Sequence, residues 1–319
     1  MKRIFISTLV VCVILSACGA ESTPSLSQNP QIQIIDHPSP TSAPLPTATR
    51  KPRQISPITP LPSPTAFITA TPGTPTADPA EWKSWPVVPE LMDTSLQKVY
   101  ERGLTLGNDS HAFSIFGDCQ ARPAEFFGVF ETDPQVFESL PSELRETVLN
   151  FEGSFNRESP TAQDGTTPGA LFWNQWHRGE YGCSFAETPV ECELRIHRPS
   201  FVIIQIGTHF ESRNTEYLRT IITQLMDAGV VPILATKADN RELDDRINRD
   251  MAMLADEYDL PLWNFWAAVS DLPNRGLYRR DDRPLQGAIY LTDEAAQRHR
   301  MTGLETLNAV WRMVTTPSR

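Results

Sequence analysis

Two residues that could take part in nucleophilic chemistry follow a short apolar run and a glycine. The run Phe113–Phe116 stops at Gly117, and Asp118 and Cys119 come next. A glycine that ends a buried strand permits a sharp turn, and the side chain after the turn then stands at the carboxyl edge of the sheet, where open α/β sheets bind ligands. A thiol at that place becomes a nucleophile when a base removes its proton.

His209 is the candidate base for this thiol. It follows a second apolar and β-branched run, Phe201–Gly207, which is typical of a central parallel strand. Parallel strands end at the same edge of a sheet, so we expect Cys119 and His209 on one side of it. Asp118 would then either orient the histidine or raise the thiol pKa by its charge. In the alternative interpretation, Cys119 is a small buried hydrophobe and His209 a hydrogen-bonded rim residue.

The elements that must position these residues alternate between strands and helices. Further strands are expected at Val230–Ala235 and Pro261–Trp266, and one more within residues 151–182. Apolar residues at helical spacing predict helices, which lie at Asp93–Arg102, Asn214–Asp227, Glu242–Tyr258 and Leu304–Val314. This alternation predicts an α/β fold, a doubly wound three-layer α/β/α sandwich around a central parallel sheet.

The order of these elements and several motifs resemble the SGNH (GDSL) hydrolases across roughly residues 110–314. The segment FSIFGDC resembles the strand that ends in the nucleophile motif Gly-Asp-Ser, VIIQIGTHF the strand that ends in Gly-x-Asn-Asp, and AIYLTDEA the terminal Asp-Gly-x-His-Leu-Thr segment. The resemblance implies a flavodoxin-like sandwich and ester hydrolysis. It places the nucleophile at Cys119, and it places the oxyanion donors at the backbone N–H groups of Cys119 and Gly165.

The chain departs from the family at each catalytic position. Tyr290 stands where the family has its terminal histidine, and the family aspartate falls on Gly287 or Gln286. A phenol and an amide do not replace an imidazole–carboxylate pair at neutral pH. Two hypotheses follow: an esterase with Cys119 as nucleophile, His209 as base and Asp118 beside them, or an inactive relative that binds a surface glycan or a partner.

Substitutes for the missing base could also come from the C-terminal region. Asp293 and His299 would supply them if the loop before them were rearranged. Trp173 and Trp176, in an irregular segment near the expected cleft, are candidates for carbohydrate stacking or for plain packing.

The five cysteines divide by position in the chain. Cys18 ends the sequence Leu-Ser-Ala-Cys, which resembles a bacterial lipobox and implies lipidation of that cysteine. Cys183 and Cys192 flank a polar loop and form the expected disulfide, which leaves Cys119 as the odd thiol. Pairing of Cys119 with one of those two cysteines is the alternative.

Composition predicts three parts. Residues 1–18 have the basic start and apolar stretch of a lipoprotein signal peptide, with an ordinary cleaved signal as the alternative. Residues 19–84 contain 14 of the chain's 28 prolines, all between positions 21 and 80, and this composition predicts a disordered stalk. Residues 85–319 would form the SGNH-like domain. We therefore expect an exported protein, anchored in the cell membrane by lipid and facing outward.

The formal net charge of −11 and the lack of a basic stripe argue against nucleic acid as a partner. No cysteine and histidine spacing typical of zinc and no glycine-rich phosphate loop is present, so no metal or cofactor is predicted. The expected partner is a small-molecule or glycan ester, and the expected state is a monomer.

Overall fold

The computed structural model describes residues 78–90, 95–278 and 289–316. The signal peptide with Cys18, the stalk up to residue 77, and Gln286 and Gly287 lie outside these ranges. Among the helices described, none is long and apolar enough to cross a membrane.

Four parallel strands form the central sheet in the order β1, β2, β3, β4. Their bounds are Asp109–Gly117 (β1), Pro199–Gln205 (β2), Val231–Ala235 (β3) and Leu262–Trp263 (β4). Every residue of β2 and β3 is buried, as expected for parallel strands covered on both faces. The register pairs Gly117 with Gln205, so β1 and β2 end side by side.

The winding of the chain reverses at β1. Gly117 pairs with Gln205 on one edge of β1 and forms a parallel bridge with Ala162 on the other. After β1, the chain therefore runs to the outer side of this strand, where Ala162 lies. It then crosses back over β1 to form β2 on the other side. The strand expected within residues 151–182 is reduced to this single bridge among the described residues. The gap between the ends of β1 and β2 is the switch point, where ligands bind in doubly wound folds.

Nine described helices cover the sheet. They are Ser95–Leu106 (α1), Val129–Thr132 (α2), Pro134–Ser139 (α3), Ser142–Asn150 (α4), Pro189–Ile196 (α5), Asn214–Asp227 (α6), Arg246–Glu257 (α7), Phe265–Ala268 (α8) and Asp293–Thr315 (α9). Helices α1, α4 and α8 pack against α9, whereas α6 and α7 pack on β3. The predicted α/β sandwich with a central parallel sheet is confirmed.

The folded region begins earlier than the sequence predicted. Residues Pro79–Ser84, assigned to the stalk above, form a 3-10 helix. Trp82 within it is only 3% exposed and meets the ring of Trp266 edge-on at 5.2 Å. Asn264 Nδ2 donates to the carbonyl oxygen of Trp82 at 2.8 Å. The boundary at residues 84/85 is therefore wrong, because a buried tryptophan and its hydrogen bond attach the preceding residues to the domain.

Candidate active site

The end of β1 turns sharply and exposes one face of Cys119 to a cleft. A Cβ atom on Gly117 would lie 2.2 Å from the Cβ of Ala121 and 2.5 Å from the carbonyl oxygen of Gln205, so only glycine fits there. Asp118 follows, and Cys119 opens a 3-10 turn, Cys119–Ala121. The strand, glycine and turn thus place the thiol at the sheet edge that the sequence predicted.

The Cys119 thiol is free, buried and protonated at neutral pH. Burial raises the pKa of Cys119 to about 11, and the negative charges of Asp118 and Asp164 act in the same direction. The backbone N–H groups of Gly165 and of Cys119 itself act in the opposite direction and lower the pKa. The two groups expected as oxyanion donors therefore both lie near the reactive atom.

Asp118 connects the end of β1 to the loop after β2. Its Oδ2 atom accepts the backbone N–H groups of Gly207 at 3.3 Å and of His209 at 3.2 Å. Burial, and after it the negative charge of the nearby Asp239, raise the pKa of Asp118 to about 7. The two backbone donors and the Lys237 ammonium group oppose this rise. A carboxylate in this position fixes the geometry of the switch point.

The His209 ring lies beside Asp118 and forms no hydrogen bond with Cys119 in the part of the chain described. Its Nδ1 atom is 3.9 Å from Asp118 Oδ2, beyond hydrogen-bonding distance, and has no hydrogen-bond partner. Burial lowers the pKa of His209, as does Arg241, whereas Asp239 and Asp164 raise it. The imidazole is therefore neutral at pH 7, with 31% of its side chain exposed. The structure brings the three predicted residues to one edge, but Asp118 holds the His209 backbone rather than its ring.

A buried ionic cluster that the sequence analysis missed supports this loop from β3. Lys237 Nζ donates to Asp239 Oδ1 at 2.9 Å and to Glu242 Oε2 at 2.7 Å. Asp239 Oδ2 in turn accepts the hydroxyl of Thr208 at 2.8 Å, next to His209. The signal in the sequence is the position of Lys237 and Asp239 shortly after the apolar run Val231–Ala235. Ligand-binding and catalytic groups lie at this end of parallel strands.

The cleft beside Cys119 is completed by the C-terminal region. Its lining consists of Cys119, Gln120, Glu125, Tyr290, Leu291 and Ala296. Gln120 Nε2 donates to the carbonyl oxygen of Ile289, which attaches this region to the end of β1. Tyr290, the residue at the family's histidine position, thus lies in the same cleft as the thiol.

The other candidate base is excluded by burial. His299 is fully buried among the rings of Phe126, Trp263 and Phe265, and Gln205 Nε2 donates to its Nε2 atom at 2.5 Å. Its pKa is lowered well below the usual value by burial. The hypothesis that His299 supplies the missing base with Asp293 is therefore wrong, because its ring belongs to the aromatic core.

An irregular segment between Ala162 and α5 borders the site. A disulfide joins Cys183 to Cys192, so Cys119 takes no part in one. Trp173 and Trp176 lie on this segment with ring centroids 6.3 Å apart. No cluster of three or more potential metal ligands occurs among the residues that the structure describes.

Comparison with solved structures gives 13 similar chains, among them two Bacteroides proteins. No family model matches the chain, and no curated protein matches it. The "putative acylhydrolase" of Bacteroides fragilis is 15% identical, with a TM-score of 0.41, over 70% of this chain and 100% of its own. A GDSL-like lipase of Bacteroides thetaiotaomicron is 14% identical, with a TM-score of 0.39, over 69% of this chain and 98% of its own.

Proposed function

We propose that this protein is an ester hydrolase in which Cys119 replaces the serine nucleophile of the SGNH hydrolases. The observation that carries the proposal is the position of Cys119 at the start of the turn after β1, where it lines the cleft and the backbone N–H of Gly165 lies near the sulfur. Two backbone donors beside a nucleophile form the arrangement that stabilises the oxyanion of acyl transfer. The substrate is an ester on a cell-surface glycan or another extracellular ester.

The reaction proceeds in two steps. The neutral His209 imidazole takes the thiol proton, and the sulfur attacks the ester carbonyl to form a tetrahedral oxyanion that the two N–H groups stabilise. Collapse releases the alcohol, which takes the proton back from His209, and leaves a thioester on Cys119. A water molecule, deprotonated by His209, then attacks the thioester, and collapse returns the thiol and the free acid. Because the thiol pKa is about 11, the first proton transfer is uphill and activity rises with pH.

Hydrolysis of p-nitrophenyl acetate by the full chain at pH 7 to 10 tests this assignment. We expect activity in the parent that is lost in Cys119→Ala and reduced about 100-fold or more in His209→Ala, the usual contribution of a positioned base. His111→Ala, which removes an exposed histidine remote from the cleft, serves as the matched control and should retain parent activity. Activity that survives both site substitutions would place the catalytic groups elsewhere.

A second function is favoured by the state of the thiol. A protonated sulfur with no bonded base suits a relative that has lost catalysis and binds a glycan or a partner in the same cleft. It predicts no hydrolysis in the parent at any pH up to 10, together with unchanged ligand binding in Cys119→Ala. The same set of variants thus separates the two functions.

We also propose that the domain acts outside the cytoplasm as a monomer, held to the membrane through a lipid on Cys18. The proposal rests on the Leu-Ser-Ala-Cys motif and the proline-rich residues that follow it. Cys18→Ala should release the protein from the membrane fraction of the producing cells. Mass spectrometry of the N-terminal peptide would show the lipid, and light scattering of detergent-free Cys18→Ala protein would give the oligomeric state.

A further inference from the structure

Two tryptophans form a shelf next to the candidate active site. Trp173 is 53% exposed and Trp176 is partly exposed, and their ring planes differ by 36° at a centroid distance of 6.3 Å. We call these two residues the indole shelf. Indoles that pack only for stability lie in the interior, as Trp263 does in this domain. The exposed indole face of Trp173 is therefore not explained by packing for stability alone.

The shelf is continuous with the site through Gly165. Cη2 of Trp176 lies 4.0 Å from the position that a Cβ atom would take on Gly165, whose backbone N–H lowers the pKa of the nearby Cys119 thiol. The Trp176 indole N–H donates to the hydroxyl of Thr166, the next residue, at 3.2 Å. A group bound on the shelf would therefore lie one residue away from the proposed oxyanion donors.

The segment that carries the shelf is held in place at several points. Glu211 Oε1 accepts the backbone N–H of Gly169 at 2.6 Å, just before Trp173. The buried His177 ring is within 3.1 Å of the carbonyl oxygen of Glu187, just after Trp176. The disulfide between Cys183 and Cys192 closes the segment onto α5. The rings are thus ordered before a ligand arrives, which lowers the entropic cost of binding.

The surroundings of the shelf select the chemistry of its ligand. Glu211 brings a carboxylate to one neighbouring turn and Asp164, ion-paired with Arg122, brings another, and the whole chain carries a net charge of −11. These charges repel anionic ligands and accept hydrogen bonds from hydroxyl groups. An acyl chain needs an enclosed apolar pocket, whereas the shelf is open to water. A neutral sugar ring has an apolar face for the indoles and hydroxyl groups at its edge for the carboxylates.

We propose that Trp173 and Trp176 form a subsite that stacks a pyranose ring of a neutral glycan, the alcohol portion of the ester hydrolysed at Cys119. The proposal rests on the proposed function for the identity of the reacting ester, but the binding of sugar does not require catalysis. Trp173 supplies the exposed stacking face, and Trp176 joins that face to Gly165.

The test measures binding to the full-length Cys119→Ala protein, which cannot form a thioester. Cellohexaose, xylohexaose and chitohexaose are titrated by calorimetry and by tryptophan fluorescence up to about 10 mM, the range of weak single-ring stacking. We expect at least one to bind and Trp173→Ala to weaken it about tenfold or more, with Trp173→Phe recovering most of the affinity. Phe185→Ala is the matched control, because Phe185 is 84% exposed on the same segment.

Absence of binding by all three hexasaccharides, or equal binding by Trp173→Ala, would overturn the subsite. A Trp173→Ala loss that appears only with longer p-nitrophenyl acyl esters in the parent background would also overturn it, since the shelf would then hold the acyl chain. Sugar binding without any esterase activity would retain the subsite and reject the proposed function. Cys119-dependent esterase activity without sugar binding would reject the subsite and retain the proposed function.

Discussion

The carboxylate of Asp118 accepts the backbone N–H of His209 at 3.2 Å, while the His209 Nδ1 atom stays 3.9 Å from the same oxygen. Asp118 therefore positions the backbone of the loop after β2 and does not orient the imidazole through a hydrogen bond. The same carboxylate raises the pKa of the neighbouring Cys119 thiol. Of the two roles that the sequence left open for Asp118, the distance to Nδ1 argues against orientation of the histidine ring, and the raised thiol pKa favours the effect on Cys119.

The first prediction concerns the reactivity of Cys119. Only the thiolate reacts with iodoacetamide, and the thiol pKa of about 11 keeps the thiolate fraction small at neutral pH. Below that pKa, each added pH unit increases the thiolate fraction about tenfold. We therefore expect the alkylation rate, followed by mass spectrometry of the Cys119 peptide, to rise steadily from pH 7 to 10. A plateau at pH 8 would contradict the raised pKa, and the same peptide in denaturant provides the reference.

The second prediction concerns the pH dependence of stability. The pKa of Asp118 rises from 3.8 to about 7 on folding, so between these values the native state binds more protons than the unfolded state. The contribution of Asp118 to stability is therefore complete below pH 3.8 and is lost as the pH rises through 7. Asp118→Asn does not ionise, so its free energy of unfolding relative to wild type should improve by about 2–4 kcal/mol between pH 4 and 8.

Urea denaturation of both proteins at several pH values measures that difference. Groups other than Asp118 titrate in both proteins and cancel in the comparison. Asp164→Asn is the matched control, because the side chain of Asp164 is 65% exposed. The free energies of unfolding of this variant and of wild type should follow parallel curves against pH. If the curves of Asp118→Asn and of wild type were also parallel, the buried carboxyl group of Asp118 would not cause a pH dependence of stability.

The sequence predicted those parts of the fold that local pattern determines. The run Phe201–Gly207 is apolar except for Gln205, and its strand forms where expected, as does α6 with the predicted bounds Asn214–Asp227. In contrast, α9 begins at Asp293 rather than Leu304, because Thr292 caps it and its first turns lack a regular apolar pattern. The strand predicted up to Trp266 stops at Trp263, since Asn264 caps the short helix that follows.

The candidate site was predictable only in part for a related reason. Cys119, His209 and Asp118 lie at strand ends, so the sheet alone brings them to one edge. The placement of Gly165 depends on an irregular segment, and its match came from family resemblance rather than from pattern. The contact of Trp176 with Gly165 and the Lys237 cluster result from loop packing that no local periodicity encodes.

The third prediction tests the ionic cluster below the site. Lys237→Met preserves most of the side-chain volume but leaves the buried carboxylates of Asp239 and Glu242 without their cation. Removing one partner of a buried ion pair costs about 3–5 kcal/mol, and we expect a loss of that size in the free energy of unfolding. Lys83→Met removes an exposed lysine paired with Asp245 and should cost at most about 1 kcal/mol. If chemical denaturation gave Lys237→Met and Lys83→Met equal losses in the free energy of unfolding, Lys237 would be solvated rather than buried.

The fourth prediction tests where the domain begins. Trp82 precedes the boundary expected from sequence, yet it packs in the core against Trp266 and receives a hydrogen bond from Asn264 on its carbonyl oxygen. Trp82→Ala in the full chain should lower the free energy of unfolding by about 3–5 kcal/mol, as large-to-small substitutions of buried aromatic residues do. Trp173→Ala, the same change at an exposed ring, should cost less than about 1 kcal/mol. If thermal and urea unfolding gave the two variants the same stability, residues 79–84 would belong to the stalk after all.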